Sequence, residues 1–565
     1  MPRFRQLAMY DALVPADSTP DPGVDHGEVF TRRWVVELVL DLAGYTSDRD
    51  LGAMVLVEPS CGTGAFLIPI VERLITSCRA HDRDLATIGS AIRAFDLLEA
   101  NAERARKACV DLLARAGVEQ CTAVEVASAW VTTDDFLLFD HPLAGADLVV
   151  GNPPYVRLEN MRPAVMEAYR QACPTMRGRA DLYVGFIERG LELLKPGGVL
   201  SYICADRWMR NQYGADLREL ITTSYAIDTV ISMHDVDAFE DDVSAYPAIV
   251  VLRNRPQAAA TVVEARSTFG EREASRLVAW ATRGRRRVVE EASFDATRVG
   301  AWFSGRDLWP SGSPLQLAMV ADLEARFPPL QDSSTGTRVG IGVATGCDEV
   351  FITSDSDLVE PDRLLPLLQA PDIAGGVVSW SGRYLVDPWD GEGLVDLADN
   401  PRLADHLHRH GARLRGRYVA QQRPGAWYRT IDRVNHRLVE RPKLLLPDIK
   451  AAAHPVLDEG GFYPHHNLYH VTSDVWDLEV LGGLLLSDVA NLFVGAYCVK
   501  MRGGAFRFQA QYLRRIRVPL PQDVPATAAR ALRRAFRARD LQGATAYAAD
   551  LYGVDRKALT RSSLG

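Results

Sequence analysis

Short apolar runs alternate with longer amphipathic stretches from about residue 34 to residue 255. The stretches between the runs, such as Glu99–Ala116 and Tyr183–Leu194, carry apolar residues at helical spacing, while the runs themselves have the length of strands. Strands that alternate with helices predict a doubly wound α/β sheet. The predicted strands are Ala53–Val57, Ala91–Phe95, Asp147–Val150, Gly198–Cys204 and Ala248–Leu252.

This periodicity weakens after residue 255, and the chain divides into three parts on that basis. Residues 1–255 form the predicted α/β domain. Residues 256–335 are interpreted as a connector, because they contain the arginine-rich run Arg283–Arg287 and the Pro/Ser-rich stretch Trp309–Pro314. Residues 336–565 contain short β-like runs, turns, arginines and aromatic residues, which predict a second, mixed α+β domain.

Composition adds few constraints. The 565 residues are 47% hydrophobic and 24% charged, which is typical of a soluble globular protein. The formal net charge of −9 counts against a nucleic-acid binder, but a local basic surface can still bind phosphates. The 8 cysteines form no C-x-x-C pair or Cys/His cluster, so neither a metal site nor a disulfide framework is indicated and a reducing cytoplasm is expected. No apolar run predicts a signal peptide or a membrane span.

A glycine-containing turn, Glu58–Gly64, follows the first predicted strand. Glycines such as Gly62 and Gly64 let a ligand approach the backbone, because they have no Cβ. Ligands bind at the carboxyl ends of the strands in such sheets. The turn lacks both the Gly-Lys-Ser/Thr ending of a phosphate loop and the six-residue dinucleotide fingerprint. Taken alone, it could be only a tight strand-to-helix connection.

Two acidic positions follow the next strands in the same way. Asp96 ends the second predicted strand, where a carboxylate can accept hydrogen bonds from both ribose hydroxyls of a nucleoside. Asp135 stands in a third such position, where it can accept from an adenine amino group while the ring of Phe136 packs against the base. Each acid alone is typical of an exposed loop, but together with the turn they indicate a nucleoside site.

The strand Asp147–Val150 leads into Asn152-Pro153-Pro154-Tyr155. The two prolines restrict φ and remove backbone donors, so the carbonyl of Pro153 is held in a fixed direction beside the side-chain oxygen of Asn152. Two acceptors that converge on one NH₂ group can make its nitrogen lone pair available for attack without a strong base. Tyr155 offers an aromatic surface for a base rotated out of a duplex.

These motifs, in this order, resemble the TaqI-like, Eco57I-type (gamma-class) adenine methyltransferases of restriction–modification systems. The resemblance covers nearly the whole chain and is strongest before residue 255. It implies a Rossmann-like, S-adenosylmethionine-dependent methyltransferase domain followed by a mixed α+β C-terminal DNA target-recognition domain, with methyl transfer to N6 of adenine. The residues that it implies in cofactor binding are Thr31, Glu58, Pro59, Cys61, Gly62, Gly64, Asp96, Asp135, Phe136 and Asn152.

The resemblance also implies catalytic positions. These are Asn152, Pro153, Pro154 and Tyr155, together with a second aromatic residue, Phe239, on the other face of the flipped adenine. Tyr246 is a nearby competitor for that role, and Phe239 could instead simply pack in the core. The chain departs from the usual family pattern at two positions: Glu58 stands where aspartate is more frequent, and Arg32 stands where many relatives have proline.

The C-terminal half resembles the recognition domain of the same family in two segments, Val339–Phe351 and Met501–Gln509. Arginine interleaved with aromatic residues suits contacts with phosphates and guanine edges, although any single arginine is commonly a solvated surface charge. The run near the C-terminus resembles XhoI-type enzymes, which methylate within CTCGAG. The expected partners are double-stranded DNA and a separate cognate restriction endonuclease, and the predicted DNA-binding residues are Arg417, Arg429, Arg502, Arg507, Arg514 and Arg515.

Several alternatives stay open. The same tetrapeptide serves methyltransferases that act on cytosine N4, on guanine N2 of RNA, or on glutamine side chains of proteins; a catalytically silent DNA-binding subunit is a fourth possibility. Asn152 before Pro-Pro-Tyr favours adenine, and the long arginine-rich second half argues against a protein substrate. Pro447–Lys450 is similar to a nuclease metal motif, but it lacks the further acid such a site needs and is interpreted as a strand end.

Overall fold

The computed structural model describes residues 29–563 with the exception of 140–144, 241–245, 285, 301–302, 392 and 501–504. The chain divides into two compact units at Pro314/Leu315. No single helix in the described part of the chain is long and apolar enough to cross a membrane; one bent pair, Leu478–Leu486 with Asp488–Tyr497, passes that test by length and composition only.

The first unit contains a ten-stranded sheet with the order β3-β2-β1-β4-β5-β7-β6-β8-β10-β9. Strands β1 to β5 are mutually parallel, and β7 then runs antiparallel between β5 and β6. The strands are β1 Leu56–Glu58, β2 Ile92–Asp96, β3 Val131–Thr133, β4 Ala146–Gly151, β5 Leu194–Ala205, β6 Ala226–Ser232, β7 Pro247–Arg253, β8 Ala260–Ala265, β9 Val288–Glu290 and β10 Phe294–Val299.

Helices cover both faces of this sheet. Successive residues of each central strand point to opposite faces, so that Leu148 and Val150 of β4 enter one apolar core while Val149 enters the other. The sheet is therefore doubly wound, as predicted. Its helices are α1 Arg33–Ala43, α2 Leu67–Ala80, α3 Glu99–Arg115, α4 Gln120–Trp130, α5 Pro163–Ala172, α6 Tyr183–Leu193, α7 Arg207–Arg210, α8 Ala215–Ser224 and α9 Glu271–Arg283.

The predicted connector, residues 256–335, differs from the structure. β8 pairs in parallel with β6, and β10 and β9 continue the sheet by antiparallel pairing. Most of the segment is therefore the outer part of the first unit. The outermost strand, β9, is short and mostly exposed, whereas β8 and β10 are mostly buried strands that the sequence analysis did not assign.

The second unit is mixed α+β, as expected. Its sheets have the orders β11-β19-β15-β17, β12-β14-β13-β18 and β16-β21-β20. The strands are β11 Arg338–Ile341, β12 Ile352–Thr353, β13 Leu364–Leu368, β14 Tyr384–Val386, β15 Lys443–Pro447, β16 Ile449–Lys450, β17 Val456–Asp458, β18 Tyr463–Pro464, β19 Leu468–Thr472, β20 Val499–Lys500 and β21 Phe506–Arg507. The helices are α10 Pro314–Arg326, α11 Asp348–Phe351, α12 Pro401–Arg409, α13 Gly411–Arg415, α14 Tyr418–Gln422, α15 Arg437–Glu440, α16 Leu478–Leu486, α17 Asp488–Tyr497, α18 Ala510–Leu513, α19 Ala526–Ala538, α20 Leu541–Tyr552 and α21 Arg556–Ser563.

Candidate active site

Two hydrogen bonds connect the turn after β1 to the end of β2. The backbone N–H of Cys61 donates to the carbonyl of Phe95 at 2.8 Å, and the N–H of Gly62 donates to the carboxylate of Asp96 at 2.9 Å. Gly62 and Gly64 have φ values of 52° and 107°, in the region that favours glycine. A Cβ on Gly62 would meet no protein atom within 4 Å, so the turn leaves open space beside its backbone.

That space belongs to a cavity of about 460 Å³ at the carboxyl ends of the parallel strands. Its described lining includes four carboxylates and no lysine, arginine or histidine, a charge pattern that suits a cationic ligand and opposes a phosphate. The lining residues are Val29, Phe30, Thr31, Glu58, Pro59, Ser60, Cys61, Gly62, Thr63, Ala65, Phe66, Asp96, Leu97, Leu98, Asp134, Asp135, Phe136, Asn152, Pro154, Val156, Asn160, Met161, Tyr169, Leu182 and Phe186.

Glu58 is the most deeply buried of these acids. Its side chain is 1% exposed, and one of its oxygens, Oε2, has no hydrogen-bond partner among the described residues. Burial, with a smaller contribution from the nearby charge of Asp96, raises the pKa of this carboxyl well above its usual value. The free cavity therefore favours the neutral acid, and a cation bound next to it would favour the carboxylate.

Asp135 is held by the chain itself. One oxygen accepts from the N–H of Leu137 at 2.9 Å, and the other accepts from the hydroxyl of Tyr169 at 2.8 Å. Burial raises the pKa of Asp135 despite these bonds. The ring of the next residue, Phe136, stacks on Phe186 with centroids 5.3 Å apart. Together they make one wall of the cavity apolar, which suits a flat ring.

Asn152 follows β4 and has a fixed amide orientation. Its Nδ2 donates to the carbonyl of Val29 at 3.0 Å and to the hydroxyl of Thr31 at 3.1 Å. A backbone carbonyl can only accept, so the NH₂ group has to face Val29 and the oxygen has to point the other way. That oxygen, Oδ1, is buried and has no partner among the described residues. A buried acceptor without a donor is costly, and it marks a position where an N–H group from a ligand would fit.

Aromatic rings surround the residue that ends the tetrapeptide. The ring of Tyr155 meets Phe239 edge-to-face at a centroid distance of 6.2 Å, and it lies 6.3 Å from Tyr183. Backbone pairing between Thr31 and Phe239 fixes the backbone of Phe239 at this position. Tyr246, the alternative to Phe239, instead packs against His234. Of the two candidates, Phe239 is the one that contacts Tyr155, and it is 5% exposed.

Known proteins match this chain over almost all of its length. A family model described as Eco57I restriction-modification methylase matches residues 107–239. Type II methyltransferase M.XhoI of Xanthomonas vasicola is 42% identical over 537 residues, which cover 94% of this chain and 98% of that protein. Type II methyltransferase M.PaeR7I of Pseudomonas aeruginosa is 43% identical over 545 residues, covering 95% and 93% respectively. The chain is an Eco57I-type restriction–modification methyltransferase.

A solved structure agrees on the fold. The type IIL restriction-modification enzyme MmeI, determined in complex with DNA, superposes with a TM-score of 0.53 over 94% of this chain and 72% of that one. The two sequences are only 12% identical, so the comparison supports the architecture of the methyltransferase and nothing finer.

Most predicted cofactor residues of this methyltransferase come together in the cavity, and three catalytic residues stand outside its lining. Gly64 shapes the turn without lining it, while Pro153, Tyr155 and Phe239 lie beyond it. The partners that hold these residues were not predicted from the sequence, because no motif indicates a contact between such distant segments. They are Val29, Tyr169 and Phe186.

The predicted DNA-binding arginines have different surroundings. The guanidinium of Arg417 donates to the backbone carbonyls of Thr345, Leu414, Trp427 and Arg429, so its hydrogen bonds are made within the second unit. Arg502 lies outside the described residues.

Three of the remaining arginines are also engaged within the second unit. Arg429 donates to the carbonyls of Thr430 and Ile431, and Arg514 donates to that of Val339. Arg515 lies over the ring of Tyr497 and is 20% exposed. Arg507 is 54% exposed and lies 3.6 Å from Asp448, so its guanidinium is the most accessible of the predicted ones that the structure describes.

The second unit also contains one group with metal-ligand chemistry that the sequence analysis missed. Donor atoms of Asp348, His465 and His466 lie within 4.8 Å of one another. His465 Nε2 is 3.2 Å from the Asp348 carboxylate, so a hydrogen bond already explains that pair. The residues come from two segments more than a hundred positions apart, which is why no spacing motif indicated them.

Proposed function

We propose that this methyltransferase transfers a methyl group from S-adenosylmethionine to N6 of adenine within a short sequence of double-stranded DNA. The observation that carries the proposal is the amide of Asn152. Its two hydrogens are committed to Val29 and Thr31, and its buried oxygen has no donor among the residues that the structure describes. An exocyclic amino group of a base is the donor that this oxygen, next to the carbonyl of Pro153, would orient.

The chemistry of the cavity fits the cofactor. S-adenosylmethionine carries a positively charged sulfur and an ammonium group, and the described part of the lining contains Glu58, Asp96, Asp134 and Asp135 without a basic residue. Asp96 would hold the ribose hydroxyls, and Phe136 with Phe186 would hold the adenine ring. The unpartnered oxygen of Glu58 would accept from the ammonium group. When bound, the cofactor supplies an electrophilic methyl group.

The chain's own residues would prepare the amino nitrogen. Asn152 Oδ1 and the Pro153 carbonyl would accept its two hydrogens and favour a pyramidal nitrogen with an available lone pair. The base would lie between Tyr155 and Phe239, whose rings now touch and would have to separate to admit it. Holding both reactants in near-attack geometry would supply much of the rate.

The target base and polymer are chosen among several acceptors with the same chemistry. Cytosine N4, RNA guanine N2 and protein glutamine also present an amino group. High identity to type II methyltransferases over the whole chain favours a DNA site. The resemblance to XhoI-type enzymes points to CTCGAG, which has a single adenine in each strand. A separate cognate endonuclease would cleave the unmodified site.

The test is methylation of defined acceptors in vitro by the purified protein and its Asn152→Ala variant. We expect N6-methyladenine after enzymatic digestion of duplex DNA, with N4-methylcytosine absent. Asn152→Ala should lower the single-turnover rate about 10²–10³-fold, the usual effect of losing one preorganised polar group, while the affinity for S-adenosylmethionine changes little. N4-methylcytosine, methylated RNA or protein in place of N6-methyladenine, or full activity of the variant, would overturn the proposal.

A further inference from the structure

A short stretch of antiparallel pairing adjoins the catalytic tetrapeptide. Arg157 pairs with Asp181 as an isolated bridge, the N–H of Leu182 donates to the carbonyl of Val156 at 2.8 Å, and the N–H of Leu158 donates to that of Ala180 at 3.1 Å. This pairing fixes the backbone that follows Tyr155. It also brings the segment that contains Arg179 next to the catalytic loop.

Two arginines of this stretch share one acid. The guanidinium groups of Arg157 and Arg179 lie 3.7 Å and 3.4 Å from different carboxylate oxygens of Glu159. Their side chains are 55% and 87% exposed. Such long, exposed ion pairs contribute little energy, so both arginines can exchange Glu159 for another anion. Glu159 is shared between them, so neither guanidinium has that carboxylate to itself.

A nearby arginine shows the contrast. Arg177 is close in sequence to Arg179 but forms an ion pair with Asp216 at 2.7 Å, and that acid is mostly buried. Its charge is therefore matched within the protein. The chain as a whole has a formal net charge of −9, so a polyanion has to be bound through local groups such as the Arg157/Arg179 pair.

We propose that Arg157 and Arg179 bind DNA phosphates next to the target nucleotide, with Glu159 as the anion that the phosphates replace. The inference rests on the proposed function, in which a base rotated out of the duplex reaches Tyr155. A base cannot leave its own backbone, so the phosphates on either side of it must come close to the loop that receives it. Exposed guanidinium groups two residues from Tyr155 and across the antiparallel pairing are placed to meet them.

The experiment measures the salt dependence of binding to two DNA duplexes of about 20 base pairs. One duplex contains the sequence that the enzyme methylates, and the other lacks it. Wild type is compared with Arg157→Gln, Arg179→Gln and Glu159→Gln, and with Arg104→Gln on the exposed face of α3 as the control. Each of the first two substitutions should reduce the magnitude of the negative slope of log K against log salt by about 0.9 on the duplex with the site. Glu159→Gln should bind DNA more tightly, because it removes the competing anion.

Further readouts separate this role from a structural one. The affinity for S-adenosylmethionine should be unchanged in both arginine variants, and KM for DNA should rise while kcat at saturating DNA is retained. Unchanged slopes on the duplex with the site, an equal loss in Arg104→Gln, or weaker binding by Glu159→Gln would overturn the inference. Normal adenine methylation together with unchanged slopes would overturn the inference alone, whereas absence of adenine methylation by wild type would overturn the proposed function.

Discussion

The amide of Asn152 illustrates what a residue's own motif can and cannot predict. The tetrapeptide predicted an acceptor at this position, and the buried Oδ1 has no partner among the described residues. The orientation of the amide depends on Val29 and Thr31, more than 120 positions earlier in the chain. Arg417 was predicted to contact DNA from its residue type and its neighbours in the sequence. Its guanidinium donates hydrogen bonds to backbone carbonyls of its own unit, which the residue type could not indicate.

Glu58 leads to a prediction about pH. Because burial raises its pKa above the ordinary value of 4.5, it is protonated in the free cavity over a range where an exposed glutamate is charged. Binding of the cationic cofactor should release that proton, and the affinity for S-adenosylmethionine should rise with pH up to the raised pKa. Glu58→Gln should abolish the proton release and weaken binding about 10-fold, equivalent to about 1.4 kcal/mol.

Calorimetry in two buffers of different ionisation enthalpy measures this release directly. The same shift has a consequence for the cofactor-free protein: its free energy of unfolding should fall as pH rises from the unfolded-state pKa through the raised folded-state pKa, because the unfolded chain ionises first. Equal heats in the two buffers for wild type would show that Glu58 does not change protonation on binding.

At the level of elements, the sequence predicted the central strands of the first sheet but not its outer strands. The central strands are apolar on both faces and were found within a few residues, as were α3 and α6. β9 was missed because it is short and mostly exposed and follows an arginine-rich run, whereas β8 and β10 were missed although most of their residues are buried. Backbone pairing to β6 and to one another, which leaves no periodic trace, places them in the sheet.

A buried ion pair joins β15 to β17 in the second unit, and breaking it should measurably lower the free energy of unfolding. Lys443 and Asp458 lie 2.7 Å apart with side chains 0% and 1% exposed. Asp458→Asn should lower the free energy of unfolding by about 3–5 kcal/mol, because it leaves a buried ammonium group without its counter-charge. Asp474→Asn, in the exposed pair with Arg441, is the matched control and should cost at most about 1 kcal/mol.

Urea denaturation of the two variants side by side makes this comparison. If Asp458→Asn unfolds at the same urea concentration as Asp474→Asn, the buried pair does not stabilise the second unit in the manner described. A loss of similar size in both would contradict it equally.

For the whole molecule, the order of the motifs along the chain predicted the family, and the match to M.XhoI and M.PaeR7I over nearly the full length confirms it. The order of the sheet, with β7 antiparallel between β5 and β6, could not be derived from periodicity, because pairing direction is a long-range property. The accessibility of the predicted DNA-binding arginines also could not be predicted from the sequence, since it depends on their exposure and hydrogen bonds in the folded chain.

The most direct test of the account is single-molecule sequencing of DNA from a methylation-free host that expresses the chain. We predict N6-methyladenine at one short motif, at the single adenine of each strand of CTCGAG, and its loss when the host expresses Asn152→Ala at the same level. N6-methyladenine in a different motif would support the proposed reaction and show that the target sequence is not CTCGAG. Unmodified adenine throughout the genome, from protein shown to bind S-adenosylmethionine, would contradict the central claim.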